Sequence, residues 1–201
     1  MSSNSHDQPC VSAGLLVVIS GPSGVGKSTI CQALVDRLGA QPSISTTTRP
    51  AGPKERSGED YLFLSAQQFK QHLDDGDFLE HAQVFGYSYG TLAQPVIEAL
   101  QNGRIVVLEI DVNGAKQIRQ RFSRAKMFLI LPPEPATLAD RLNTRKRDVQ
   151  TVIAERLAKA DGEIRFARES GCYDYTIVND DLEDAINQIV TIINQEQEKI
   201  K

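Results

Sequence analysis

The chain has 201 residues, 40% of them hydrophobic and 24% charged, with no tryptophan and a net charge of −4. That length can bury a sizeable core without forcing a split into two domains, the mild acidity argues against bulk nucleic-acid binding, and no apolar run is long enough to cross a membrane. Its three cysteines, Cys10, Cys31 and Cys172, are odd in number and widely spaced without a C-x-x-C pair, which points to a reducing cytoplasm rather than to a disulfide framework or a zinc site.

Residues 1–13 carry neither the basic start nor the apolar middle of a secretory signal and read as a disordered tail ahead of a domain over 14–201. Leu15 to Ile19 is an apolar run suited to a buried parallel strand, and Ile30, Leu34 and Leu38 recur at helical spacing. Between them lie Gly21, Pro22, Ser23, Gly24, Val25, Gly26, Lys27 and Ser28, followed by Thr29, which fill the pattern G-x-x-x-x-G-K-[ST]. A loop of this composition bends so that successive N–H groups face phosphate oxygens. Lys27 supplies a point charge, Ser28 a hydroxyl ligand for Mg²⁺, and the following helix an N-terminus aimed at the anion. The expected ligand is a nucleoside triphosphate.

Ser43 to Thr48 comes next, then a loop rich in Pro, Gly and charge over Arg49 to Asp60, then a strand candidate over Tyr61 to Leu64. Ser65 with Gln68 forms a capping box that opens a helix toward Gly76. Phe78 to Phe85 reads as a strand, Pro95 suits the first turn of a helix that Gly103 ends, and Ile105 to Ile110 is a buried-strand run. Met127 to Leu131 and Tyr175 to Val178 are two more, separated by a long, basic helical region from Pro135 to Ser170. Leu182 to Glu198 closes the chain as an amphipathic helix. Strand and helix alternate throughout, so the fold class is α/β with a parallel sheet flanked by helices. The core sheet is expected from the strands near 15, 43, 105, 127 and 175, with 50–93 as an inserted smaller lobe. His6, His72 and His81 have no ligand spacing.

Ser45-Thr46-Thr47-Thr48-Arg49, Gly58-Glu59-Asp60-Tyr61, Phe78-Leu79-Glu80-His81-Ala82, Tyr89-Gly90-Thr91 and Leu108-Glu109-Ile110-Asp111 follow the phosphate loop in order, and Val178-Asn179-Asp180-Asp181 comes near the end. With these motifs the sequence resembles the guanylate kinase family over roughly residues 14 to 198. The resemblance implies a P-loop NTPase-type fold with a core of about 14–49, 94–134 and 170–201, a GMP-binding lobe of about 50–93 and a helical lid of about 135–169. It implies transfer of the γ-phosphoryl group of ATP, with Mg²⁺, to GMP and dGMP in purine nucleotide metabolism.

By the same resemblance, Arg49 meets the monophosphate with the hydroxyls of Tyr61 and Tyr89, and Arg145 and Arg156 match lid arginines that stabilise the transferring group. Glu80 matches the carboxylate that reads guanine, Asp111 and Glu109 its partners, and Ser45 and Thr91 supply hydroxyls toward O6. Asn179 and Asp180 match residues that line the adenine of ATP, although an N-D-D run before a helix is also an N-cap signal. The chemistry agrees: guanine presents N1–H and its 2-amino group together, and a carboxylate accepts both. Phosphoryl transfer needs chiefly positioning and positive charge, which Lys27 and the arginines provide.

Two departures stand out. Where the family usually places a second phosphate-binding arginine, this chain has Gly52, with Lys54 and Arg56 as the nearest cations. Where the lid often reads R-G-R-G, this chain reads Asn143-Thr144-Arg145-Lys146. Two other readings stay open on the sequence: a kinase for another small phosphate ester such as a ribose bisphosphate, which Glu80, Tyr89 and Asp111 oppose, and a non-catalytic phosphopeptide-binding module, which Lys27 and Ser28 oppose.

Overall fold

The computed structural model describes residues 14–84, 86–134, 137 and 150–200, and for 150–159 the backbone alone. The expected tail over 1–13 lies outside these residues, as does most of 135–149. Five strands, β1 (Leu15–Ser20), β2 (Gln41–Pro42), β7 (Ile105–Ile110), β8 (Lys126–Leu131) and β9 (Tyr175–Val178), form one sheet in the order β2-β7-β1-β8-β9. Every pairing in it is parallel. β1 is buried along its whole length because helices cover both faces of the sheet, which is why its sequence reads as a continuous apolar run.

Alternation along the strands divides the core. Val17, Ile19, Val107, Phe128 and Ile130 face α1 (Lys27–Leu38) and the C-terminal helix α6 (Leu182–Glu198), where Ile30, Leu34, Ile186 and Ile189 meet them. Leu16, Val18, Val106, Leu108 and Met127 face the other way, onto α3 (Ala93–Gln101) and α4 (Val112–Arg121) through Val96, Leu100, Ala115 and Ile118. Each of the Val, Leu, Ile, Phe and Met side chains among them contributes about 1.5–3 kcal/mol on burial. Residues 150–170 form α5, as expected within the long helical region, and Ile164, Phe166 and Ala167 pack toward Leu129 and Leu131.

A second, four-stranded sheet has the order β4-β3-β6-β5, from β3 (Thr46–Thr47), β4 (Leu62–Phe63), β5 (Phe78–Val84) and β6 (Tyr87–Leu92). It takes in Thr46 and Thr47, just ahead of the 50–93 stretch, because their backbones pair with Tyr89 and Gly90. The helix α2 (Ala66–Asp74) opens on the expected reciprocal capping box of Ser65 and Gln68. β6 is absent from the sequence-based assignment. It returns antiparallel to β5 and recruits a segment whose Tyr87, Tyr89 and Thr91 alternate with small or polar residues.

The two sheets meet where the parallel strands end. β1 has β7 on one side and β8 on the other, so chain direction across the sheet switches at β1, and the carboxyl ends of β1 and β7 open into a crevice.

Candidate active site

The turn from β1 into α1 holds residues 21–26. Gly26 sits in the left-handed region at φ 104° as the N-cap of α1, and a Cβ at Gly21 (φ 147°) would overlap the Ile130 carbonyl of β8. Only glycine lets the loop pass this close to the neighbouring strand. Asn179 braces the loop from behind: its buried Nδ2 donates to Val25 O at 2.8 Å, and its backbone N–H donates to Leu131 O at 2.8 Å. Its amide is thus turned to the loop backbone, while Asp180 is exposed. The cap of α6 is the next residue, Asp181, which accepts from Asp184 N at 3.0 Å.

Lys27 folds over the loop, with Nζ donating to Gly21 O at 2.8 Å and Pro22 O at 3.0 Å. Burial lowers its pKa, against the opposing pull of the Glu109 and Glu163 carboxylates. A desolvated ammonium held on two weak acceptors is well prepared to exchange them for phosphate oxygens. Ser28 Oγ donates to Glu109 Oε1 at 2.8 Å, across 81 positions of sequence, because β7 lies beside β1. Glu109 was expected among the guanine partners, whereas the structure places it on Ser28. A hydroxyl and a carboxylate suit Mg²⁺, which commonly takes one or two protein oxygens and completes its shell with phosphates and waters. Among the described residues no cluster of three or more His, Cys, Asp or Glu could hold a metal by itself.

Lys27, Glu109 and Ser23 line a cleft of about 410 Å³ together with Glu80, Asp111, Ser45, Tyr61 and Tyr89. The phosphate loop and most of the residues expected to bind the monophosphate nucleotide therefore share one cavity.

Glu80 points into this cleft from β5, only 5% exposed, and Thr91 of β6 donates to its Oε1 at 2.7 Å. A register shift between Phe78 and Glu80 sets Glu80 directly opposite Thr91. Burial raises the Glu80 pKa to about 7, with the nearby Asp111 charge adding to it and the Thr91 hydrogen bond opposing it. Asp111 Oδ1 caps α4, accepting from Asn113 N at 3.0 Å and Gly114 N at 2.8 Å. Thr91 has a single hydroxyl hydrogen. It is committed to Glu80 and holds the carboxylate, so of the two hydroxyls expected toward O6 Ser45 is the one that lines the cleft.

Arg49 makes a two-pronged ion pair with Glu55, Nη1 to Oε2 at 2.9 Å and Nη2 to Oε1 at 2.8 Å. This pair, first among several causes, raises the pKa of a guanidinium that is already always charged. The guanidinium carbon lies 5.4 Å from the Tyr61 ring centre, and Tyr61 meets Tyr89 edge-on at 6.1 Å. Glu55 also accepts from Gly52 N at 2.6 Å. Sequence reasoning missed Glu55; its signal was an acid six residues after Arg49 in a loop bent by proline and glycine. Lys54 is exposed, and Arg56 turns to Glu59 at 3.4 Å. Arg145 lies outside the described residues, as does the side chain of Arg156, whose backbone belongs to α5. Ser43 was also missed: its buried hydroxyl lines the cleft with no hydrogen-bond partner among the described residues.

A family model described as guanylate kinase matches residues 14–196. The chain is 44% identical to a guanylate kinase of Synechocystis sp. over 188 residues, 92% of this chain and 95% of that protein. It is 43% identical to the guanylate kinase of Escherichia coli K12 over 187 residues, 92% of this chain and 89% of that one. A crystal structure of guanylate kinase from Anaplasma phagocytophilum superposes with a TM-score of 0.72 at 30% identity, covering 92% of this chain and 87% of the other.

Proposed function

Because this chain belongs to the guanylate kinase family and phosphorylates GMP, we propose that the cleft between its two sheets carries out the transfer, with ATP on the phosphate-loop side and GMP on the Glu80 side. The observation that carries this reading is the single cavity joining Lys27 to the buried Glu80 and Asp111. Backbone N–H groups of residues 23–28 and the Lys27 ammonium take up the triphosphate, and Asn179 keeps the loop in shape for it. Ser28 and Glu109 are the residues that would hold Mg²⁺, which supplies charge neutralisation on the transferring phosphate when bound.

On the acceptor side, the Glu80 carboxylate receives N1–H and the 2-amino group of guanine, Ser45 faces O6, and Asp111 adds a second acceptor. A base without that donor edge leaves a buried carboxylate unpaired, which is how the site rejects adenine. Arg49 binds the monophosphate beside Tyr61 and Tyr89, sharing its fork with Glu55. The remaining cations are Arg145 and Arg156, which the family resemblance assigns to the transferring group. dGMP presents the same N1–H and 2-amino edge to Glu80, so it is expected as a second substrate. The cytoplasm is the natural compartment, in keeping with free, buried Cys31 and Cys172. Among the described residues no helix is long and apolar enough to cross a membrane.

A coupled ADP-release assay with ATP, Mg²⁺ and a panel of GMP, dGMP, AMP, CMP and UMP tests the proposal. Turnover is expected with the two guanine nucleotides only. Lys27→Ala should abolish it while the melting temperature stays close to wild type, because the Lys27 side chain at the start of α1 bonds loop carbonyls and lies outside the apolar core; a fully active variant would overturn the assignment of the triphosphate side.

A further inference from the structure

Glu80 reaches the cleft from β5 and Asp111 from the end of β7, and both carboxylates meet one residue, Gly114, on the first turn of α4. On one side, Gly114 N–H donates to Asp111 Oδ1 at 2.8 Å. On the other, a Cβ at Gly114 would lie 2.5 Å from Glu80 Oε2, 3.1 Å from its Cδ and 3.4 Å from its Cγ. The bare face of Gly114 is therefore the wall against which the Glu80 carboxylate rests.

The backbone has no need of glycine here. Gly114 is helical and does not adopt a positive φ, and glycine is the poorest helix former after proline. A residue that weakens its own helix and serves no conformational purpose is best explained by the space it leaves. Nor can α4 move away from a side chain at 114. Gln117, one turn on, donates Nε2 to His81 O at 2.8 Å and accepts from His81 N at 3.2 Å, and Arg121 Nη1 donates to Phe78 O. These contacts pin α4 to β5 on both sides of Glu80. A methyl group at 114 must then push the carboxylate rather than the helix, and Oε1 is already held by Thr91 at 2.7 Å. The oxygen displaced is Oε2.

We propose that Gly114 is a positioning residue for base recognition: its missing side chain sets where Glu80 presents its carboxylate, while its N–H fixes Asp111. This rests on the reading of Glu80 as the guanine acceptor, and the test separates the two. GMP kinetics, dissociation constants for GMP and IMP, and melting temperatures are measured for wild type, Gly114→Ala, Glu80→Gln, Glu80→Ala and the Glu80→Ala/Gly114→Ala double variant. IMP lacks the 2-amino group and so offers the carboxylate one donor fewer.

Gly114→Ala should raise KM for GMP roughly ten-fold with little change in kcat, and should weaken GMP more than IMP. Its melting temperature should stay at or above that of Glu80→Ala. In the Glu80→Ala background the same change should have no further effect on GMP, since no carboxylate remains to be displaced. Impaired GMP binding in Glu80→Gln with wild-type behaviour in Gly114→Ala would overturn this inference alone. Wild-type GMP use by Glu80→Gln would overturn the base reading and the inference with it. If Gly114→Ala does not fold, recovery of folding in the double variant supports the contact and failure to recover refutes it.

Discussion

Replacing Glu80 by glutamine should stabilise the protein and impair it at once. The Glu80 carboxyl is buried, and burial moves its ionisation from an ordinary 4.5 to about 7. Below pH 4.5 the group is neutral in the folded and the unfolded chain alike. Between 4.5 and about 7 the unfolded chain releases the proton first, so the folded state binds more protons and its stability falls as pH rises. Above about 7 the carboxylate is charged in both states, and the fold bears the full cost, about 3 kcal/mol at about 1.4 kcal/mol per pH unit. Glutamine has the same shape, can still accept the Thr91 hydroxyl hydrogen and carries no charge to desolvate. Thermal melts should therefore show Glu80→Gln above wild type by roughly 6 to 12 °C at pH 8, given about 2–4 °C per kcal/mol for a domain of this size, with a gap of about 1 kcal/mol or less at pH 5. Over the same range the wild-type kcat/KM for GMP should rise about ten-fold from pH 6 to pH 8 as the acceptor ionises. The variant should show only the smaller change due to the GMP phosphate itself, whose own second pKa is about 6, and a GMP efficiency lower by the equivalent of about 1–3 kcal/mol. A melting gap of equal size at both pH values would refute the burial argument. Wild-type GMP efficiency in the variant would refute the role.

Glu109→Gln keeps a hydrogen-bond acceptor for Ser28 but removes the charge, so the Mg²⁺ concentration for half-maximal turnover should rise several-fold with KM for GMP little changed; an unchanged Mg²⁺ titration would return Glu109 to the base side. Gly52 has no positive φ, and a Cβ there would meet only the flexible end of Glu55 at 3.0 Å. Gly52→Arg is thus expected to fold normally and to lower KM for GMP several-fold by adding a forked donor, about 1 kcal/mol of charge-assisted binding. Steady-state kinetics that show a raised KM would mean that the new arginine only draws Glu55 away from Arg49.

Much of this protein was legible along the chain, because the responsible forces act over a few residues. The phosphate loop follows from glycine spacing and one lysine. The core strands follow from apolar runs that a sheet covered on both faces requires, and the start of α2 from the reciprocal bonds of Ser65 and Gln68. The family motifs brought Glu80 and Asp111 into one cleft with the phosphate loop, and Arg49 to its pair with Glu55 beside Tyr61. What the chain order could not convey is which distant groups end as neighbours. Ser28 meets Glu109 because β7 inserts beside β1, and Asn179 meets Val25 because α6 begins where β9 runs out beside β8. Thr91 meets Glu80 through a shifted register in a hairpin whose second strand has too weak an alternation to be read. Glu55 reaches Arg49 by the path of an irregular loop. The high ionisation of Glu80 is also tertiary in origin: its carboxyl is ordinary in the sequence and becomes costly to charge only when β5, β6 and α4 close around it. Local propensity depends on each residue and its near neighbours, whereas desolvation and long-range hydrogen bonds depend on which surfaces the sheet order brings together.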